Sequence, residues 1–355
     1  MPAWVWRSGT VTPRHYWALD RLRSLAENVP TGEHYIARAD ELEMELLIAS
    51  HVGQSARVQA LARRRFGDGR ESVPIGDDRE ARVDEVAQWV LEEVDDLPDE
   101  PVVPAESSRD GEISGRDVVQ AVLNASGVPG DVKIDARLAA GAATGDRMVF
   151  LADRRFGRRE IARFAIHEVL GHLTSAANGR SQSLGLLDHG TARSFGDQEG
   201  VSLLWEERAG LLDGTRLRIL AMRVLAARWL HEGASYPESV ARLMREFGAA
   251  PTTAVVVAER TYRGGGVARD VCYLRGWLRV RAAVQAEPDA ARLLQAGRVG
   301  VADLPWLRDL KSRGILRDSP YRPSLVASLR ATGSGTNSET SPPSFLTSLT
   351  RLEAT

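Results

Sequence analysis

The sequence predicts an α+β fold that is mostly α-helical, with one small β-sheet. Three observations predict it. Apolar residues recur at helical spacing through most of the chain. Only two short segments read as strands, Val132-Lys133-Ile134 and Arg147-Met148-Val149-Phe150-Leu151, each bounded by turn signals. The length, 355 residues, allows one large or two modest domains with a substantial core.

In chain order, residues 15–67 read as helices. The clearest are Ala37–Val52 and Ser55–Phe66, with Gly53 between them. Asp77–Asp96 reads as another helix, ending before Pro98. Leu97–Asp110, with Pro98, Pro101, Pro104 and Ser107-Ser108, reads as a linker or mobile loop. Val118–Asn124 is helical. The two strands follow and are expected to pair beside the next helix, Arg158–Ser175, which should stop before Asn178-Gly179. Residues 179–196 form a long polar loop carrying His189 and Arg193, of the kind that often bears function. Helices then run over 200–212, 215–231, 237–247, 251–261, 270–286 and 288–296. The Thr/Gly/Ser/Pro-rich stretch 332–343 reads as a disordered tail or tether. The expected organisation is a helical N-terminal region with linker (1–110), a catalytic domain (111–330) and a disordered tail (331–355). There are no sequence repeats.

Composition narrows the function. Lysine plus arginine number 46 and aspartate plus glutamate 48, a balance that implies no nucleic acid or other polyanion as partner. No apolar run approaches the ~20 residues of a membrane span. Met1–Thr10 holds Trp4 and Trp6 but lacks the cationic and apolar regions of a signal peptide, so the expected compartment is the cytoplasm. The single cysteine, Cys272, excludes an internal disulfide and a Cys-rich metal site. It reads as a core residue. The oligomeric state is not written in the sequence.

The chemistry concentrates in Ile166-His167-Glu168-Val169-Leu170-Gly171-His172, of the form H-E-x-x-x-H. Two imidazoles and a carboxylate on one helix suit a hydrolytic zinc site. The imidazoles bind the metal and the carboxylate takes a proton from water. The more familiar spacing is H-E-x-x-H, with both histidines on one helix face. Here they are five apart, which in an ideal helix would set the rings about 140° apart. A π-bulge or a loosened turn would absorb the extra residue, and Gly171 marks where that costs least. The plainer alternative is a helix with both histidines hydrogen-bonded and Glu168 facing water.

A catalytic zinc usually takes three protein ligands. Downstream lies Phe195-Gly196-Asp197-Gln198-Glu199-Gly200, with an apolar run opening at Val201. Gly196 reads as a loop breaker, and Glu199 falls in the first turn of a second helix, facing the first if the two pack antiparallel. Asp197 and Glu199 also suit plain helix N-terminal chemistry.

Together these segments resemble the bacterial QEGLA-motif proteins, which are related to the animal microtubule-associated tyrosine carboxypeptidases. The resemblance rests on H-E-x-x-x-H, on Asn178-Gly179-Arg180-Ser181-Gln182 and on Gln198-Glu199-Gly200. It continues at Tyr262-Arg263-Gly264-Gly265 and at Arg269-Asp270-x-x-Tyr273-Leu274-x-Gly276, and spans roughly 115–285. It implies a zincin-like catalytic core holding one zinc per chain through His167, His172 and Glu199, with Glu168 as catalytic base. It departs from the family pattern at Val201-Ser202, where Leu-Ala is usual. Arg269 stands where lysine is common, and the loop between Gly266 and Arg269 is short. No metal ligand is lost.

The activity so implied is that of a carboxypeptidase acting on a peptide or protein C-terminus. Such an enzyme must hold a free carboxylate, which arginine does bidentately. Arg263, Arg269, Tyr273 and Tyr262 are the candidates, though surface ion pairs would also account for the arginines. The same site would serve an endopeptidase or amidase, and a metal-binding regulatory protein without activity is a third reading. His189 reads as a surface histidine and His231-Glu232 as C-terminal helix chemistry. Arg263-Gly264-Gly265-Gly266 reads as a helix-ending turn, since it lacks the Lys-Ser/Thr of a phosphate loop.

Overall fold

The structure, a computed structural model, describes residues 10–76, 79–95, 102–106 and 113–332. Helices α1 (Pro13–Ala26), α2 (Gly32–Ser50) and α3 (Ser55–Phe66) come first. A hairpin of β1 (Ser72–Gly76) and β2 (Arg79–Arg82) leads into α4 (Val83–Glu93). Then follow β3 (Val102–Val103), α5 (Gly115–Ser126), β4 (Asp131–Asp135), β5 (Ala142–Thr144), β6 (Met148–Ala152) and β7 (Phe156–Gly157). One long helix comprises α6 (Arg158–Ala165), a π-helical segment (Ile166–Leu173) and α7 (Thr174–Ser181). After it come α8 (Leu186–His189), α9 (Ser194–Arg208), α10 (Gly214–His231), α11 (Tyr236–Phe247), α12 (Pro251–Tyr262) and α13 (Val271–Ala286). The described chain ends with α14 (Ala290–Leu293), a 3₁₀ turn (Val301–Asp303), α15 (Leu304–Ser312) and α16 (Leu325–Ala331). The fold is thus α+β and mostly helical, with small sheets. Among the described residues no helix is long and apolar enough to cross a membrane.

The chain forms two compact units, neither continuous in sequence. The first comprises 1–96, 191–196 and 214–279. In it the helices expected over 15–67 are present, with Gly53 at φ +94° between α2 and α3. The helix expected over Asp77–Asp96 begins only at Val83, because Arg79–Arg82 pair with β1 instead; Asp77 and Asp78 lie outside the described residues. Val73 and Ile75 alternate with exposed neighbours along β1, which suits a half-buried strand. The Glu85 carboxylate accepts from the Arg82 backbone N–H (3.1 Å) and so fixes the start of α4. At the other end Arg218 donates to the carbonyls of Leu91 and Val94, and also to that of Phe247 in α11. Cys272 is buried against Val58, Ala62 and Phe66, a core residue as its solitary position suggests.

The second unit comprises 97–190, 197–213 and 280–355. Its sheet has the order β4-β6-β5. The two expected strands are β4 and β6, paired in parallel, and β5 lies antiparallel on the edge of β6. Val102–Val103, within the segment expected to be a linker, pairs with Phe156–Gly157 instead, and Val103 is buried. Residues 97–101 and 107–110 of that segment lie outside the described residues. Val119, Val122, Val149, Leu151, Ile166, Val169 and Leu170 close one apolar core between α5, the sheet and the π segment.

The long helix does not stop before Asn178-Gly179 but continues to Ser181. Both residues that suggested a turn serve packing. Asn178 is fully buried, and its amide donates to the carbonyls of Gln295 (2.8 Å) and Tyr321 (3.0 Å). A Cβ on Gly179 would lie 2.4 Å from the Leu187 carbonyl oxygen. The expected loop 179–196 accordingly shrinks, and it contains α8 with His189 exposed. Helix α9 starts at Ser194, six residues earlier than expected, and Gly196 lies inside it. The last expected helix, 288–296, is reduced to α14, and α15 and α16 follow where no helix is expected. The tail beyond 332 lies outside the described residues.

Candidate metal centre

For His167 and His172 to reach one metal the helix must depart from α geometry, and Ile166–Leu173 is π-helical. The Thr174 N–H reaches the Val169 carbonyl, five residues back, and the Thr174 hydroxyl donates to the same oxygen (2.8 Å). The wider turn brings residues five apart onto one side. The two imidazole rings consequently lie 4.9 Å apart between centroids, at 73° to one another.

Gly171 has a second role that the sequence reading does not anticipate. A Cβ there would meet Ser202 of α9 at 2.0 Å from Oγ and 2.8 Å from Cα. Helix α9 therefore crosses the π segment in backbone contact, at a residue that must lack a side chain. That contact carries Glu199, three residues earlier on α9, to the imidazoles. Glu199 lies in the second turn of α9, not the first as expected. Its Oε2 is 3.4 Å from His167 Nε2 and 3.5 Å from His172 Nε2. The three ligand atoms all lie within 4.8 Å of one another. Asp197, the other acidic residue before the apolar run, is occupied elsewhere, accepting from the Val301 N–H at 2.8 Å.

Glu199 Oε2 is buried and makes no hydrogen bond. A buried carboxylate oxygen left this way costs free energy unless a cation completes it. For bonds of 2.0–2.1 Å in tetrahedral geometry, ligand atoms sit about 3.4 Å apart. The two distances from Glu199 match that edge, so the donor set fits a metal ion. His172 is 24% exposed, against 7% and 9% for the side chains of His167 and Glu199, so the centre opens on the His172 side.

Two further residues shape the site, and the sequence reading contains neither. Glu206 is fully buried, and its Oε1 accepts from His167 Nδ1 at 2.6 Å. A carboxylate on the far nitrogen of a metal-binding imidazole fixes the tautomer and turns the near nitrogen to the metal. Its signal in the sequence is the separation from Glu199, seven residues or two turns on one face of α9. Thr144, on edge strand β5, donates from Oγ1 to Glu168 Oε2 at 2.7 Å. No sequence signal ties β5 to Glu168, because the contact depends on the sheet's placement.

The electrostatics follow from the crowding. Burial disfavours a charged His167, yet the approach of Glu199 and Glu206 outweighs it and raises the imidazole to about 10. Burial would likewise raise Glu199, but the neighbouring His172 and His167 hold it well below the usual carboxylate range. The carboxylates of Glu199 and Glu206 thus face two imidazoles from α9, a field suited to a cation.

The later sequence block belongs to the first unit, whereas the metal-site residues belong to the second. Within the first unit Tyr262 is committed to the fold: its hydroxyl donates to the Ala234 carbonyl (2.6 Å) and contacts Ser239 Oγ (2.8 Å). Arg263 approaches Glu259 one turn earlier (3.4 Å). Arg269 is exposed and lies over the Phe195 ring, 5.6 Å from its centre. The Tyr273 hydroxyl accepts from Arg260 at 3.2 Å. Of the other arginines near the motifs, Arg180 pairs with Asp146 (2.9 Å), and Arg193 has φ +62° with its N–H donated to Glu41.

A family model described as microtubule-associated tyrosine carboxypeptidase matches residues 18–337. The match extends well beyond the 115–285 over which the motifs show likeness, and takes in the N-terminal helices. No curated protein matches the chain. A solved structure, described as that of a lipoprotein from Colwellia psychrerythraea, aligns at 14% identity and a TM-score of 0.37. The alignment covers 91% of this chain and 55% of that one, a likeness too weak to carry fold or function.

Proposed function

The chain belongs to the microtubule-associated tyrosine carboxypeptidase family, and from that membership we propose that it is a zinc metallopeptidase acting as a carboxypeptidase. The family is one of peptidases, so the reaction is cleavage of a peptide or protein substrate. The observation that supports the reading most is the convergence of two imidazole nitrogens on an orphaned, buried carboxylate oxygen that lies 3.4 and 3.5 Å from them. A His₂Glu donor set suits zinc, one ion per chain.

His167, His172 and Glu199 would hold the ion, leaving the exposed His172 side for substrate. Zinc, when bound, lowers the pKa of a water molecule and polarises the scissile carbonyl. Glu168 takes the proton from the attacking water and passes it to the departing amine. Thr144 occupies one oxygen of that carboxylate and holds its orientation. Glu206 keeps His167 in the tautomer whose Nε2 is free to coordinate. In this reading 111–330 carries the catalytic residues, 1–110 is an N-terminal helical region, 331–355 is a tail, and the protein works in the cytoplasm.

The test is hydrolysis of paired peptides with free and amidated C-termini by protein purified without chelator. The carboxypeptidase reading expects release of the last residue from the free acid and little cleavage of the amide. Equal cleavage of both would replace it with an endopeptidase or amidase.

A further inference from the structure

The segment 294–301 joins α14 to the 3₁₀ turn and lies outside the stretch that holds the sequence motifs. Three motif-bearing elements of the second unit nevertheless bond to it. Gln198, beside Glu199 on α9, is buried and donates its amide to the carbonyls of Val299 (2.7 Å) and Leu294 (3.3 Å). Asp197 accepts from the Val301 N–H (2.8 Å). On α7 the Asn178 amide donates to the Gln295 carbonyl (2.8 Å). The Gln295 side chain turns to the π segment, where its Nε2 donates to the Leu170 carbonyl (2.7 Å). The loop is thus bonded to both helices that carry the candidate ligands. It is firmly seated, with Leu294 and Val299 fully buried in one apolar cluster with Leu187, Val201 and Leu204. The Arg298 N–H also donates to the Leu187 carbonyl (2.7 Å).

The bond to Leu170 is the informative one. In an α-helix the Thr174 N–H would donate to the Leu170 carbonyl, four residues back. Here it reaches the carbonyls of Val169 and Gly171 instead. Gln295 therefore supplies a donor to the carbonyl that the π turn passes over, at a point between His167 and His172. A side chain that bonds this carbonyl favours the π turn over a regular helix. Gln198 and Asp197 tie the ligand-bearing turn of α9 to the same loop, so one brace serves both helices. We propose that Gln295 is a positioning residue of the metal centre. Through the Leu170 carbonyl it holds the π turn, and through the loop it shares with Gln198 it sets His172 against Glu199. The proposal rests on the metal-site reading. It also gives the glutamine of Gln198-Glu199-Gly200 a task distinct from that of its neighbour, which is to anchor α9 to the brace.

The experiment compares Gln295→Met with Gln182→Met in the full chain. Gln182 is a control of the same chemistry, since its side chain bonds the Arg317 carbonyl (3.1 Å) and N–H (2.9 Å) beyond the end of α7. Three properties are read: zinc affinity by chelator competition, the visible absorption of the cobalt(II)-loaded chain, and the Tm of the metal-free chain. Cobalt(II) accepts the same donors, and its absorption weakens when tetrahedral geometry is lost. Gln295→Met should weaken zinc binding about 2–10-fold, the worth of one hydrogen bond, and reduce the cobalt bands. Gln182→Met should leave both as in the parent chain, whatever its Tm. Gln295→Glu keeps the shape but offers an acceptor where a donor is needed, so it should act in the same direction as Gln295→Met. A lowered Tm with zinc affinity and cobalt spectrum unchanged in both Gln295 variants would make the residue structural and overturn the proposal. Equal losses of zinc affinity in Gln295→Met and Gln182→Met would trace the effect to general loosening and overturn it as well. A parent chain that takes up neither metal would sink the metal-site reading and the proposal with it. A parent that binds both, with unaltered Gln295 variants, would sink the proposal alone.

Discussion

Gly171→Ala should cost both stability and metal, although local propensity argues the opposite. Alanine is favoured over glycine within a helix by about 1 kcal/mol. In this helix the added Cβ would sit 2.8 Å from Ser202 Cα, where ordinary contact begins at 3.4 Å. Backbone cannot rotate away as a side chain can, so α9 must retreat by about 0.6 Å at that point. Over-packing of this kind typically costs 1–3 kcal/mol, which outweighs the gain in propensity. Glu199 rides on the same helix one turn away. A displacement of that size exceeds the roughly 0.2 Å tolerance of a coordination bond, so zinc affinity should fall about ten-fold or more. Thermal unfolding of the metal-free variant reads the first effect, and chelator competition reads the second. Ser202→Gly added to Gly171→Ala removes the 2.0 Å clash with Oγ but not the one with Cα, so it should rescue only in part. A variant more stable than the parent and fully loaded with zinc would show that the backbone contact does not place Glu199.

The other predictions concern single side chains. Glu168→Gln should keep zinc and fold while turnover falls about 10²–10⁴-fold, read by elemental analysis and peptide assay; near-normal turnover would make Glu168 structural. Glu206→Gln should weaken zinc binding by roughly 10–100-fold, as loss of an orienting carboxylate does elsewhere, and unchanged affinity would remove Glu206 from the site. Thr144→Val should lower kcat with little change in zinc content, and Thr144→Ser should restore it; a serine variant as slow as the valine would point to packing. The metal-free chain should lose stability as pH rises from 7 to 10. His167 is raised above the ordinary ~6.5 to about 10, so its contribution is full below ~6.5 and disappears as pH rises through about 10. Thermal unfolding across that range checks the sign, and Glu206→Gln should flatten the slope.

Much of the site was legible because its signals are local. The five-residue spacing of His167 and His172 calls for a π turn if both imidazoles are to meet one metal, and the strands β4 and β6 carry their own turn signals. What stayed hidden depends on contacts distant in sequence. Asn178-Gly179 reads as a helix stop until Tyr321, Gln295 and Leu187 are seen against it. The acidic and arginine-rich stretch after Asp77 has helical composition, yet Arg79–Arg82 pair with β1. Glu206 looks like one surface glutamate among many until α9 lies against the π segment.

The central claim is that His167, His172 and Glu199 surround one zinc ion. Anomalous diffraction at the zinc edge, on crystals of protein purified without chelator, tests it most directly. The account predicts a single peak about 2.0–2.1 Å from Nε2 of His167, Nε2 of His172 and Oε2 of Glu199. A fully occupied zinc elsewhere in the molecule, with Glu199 turned away from both imidazoles, would contradict it.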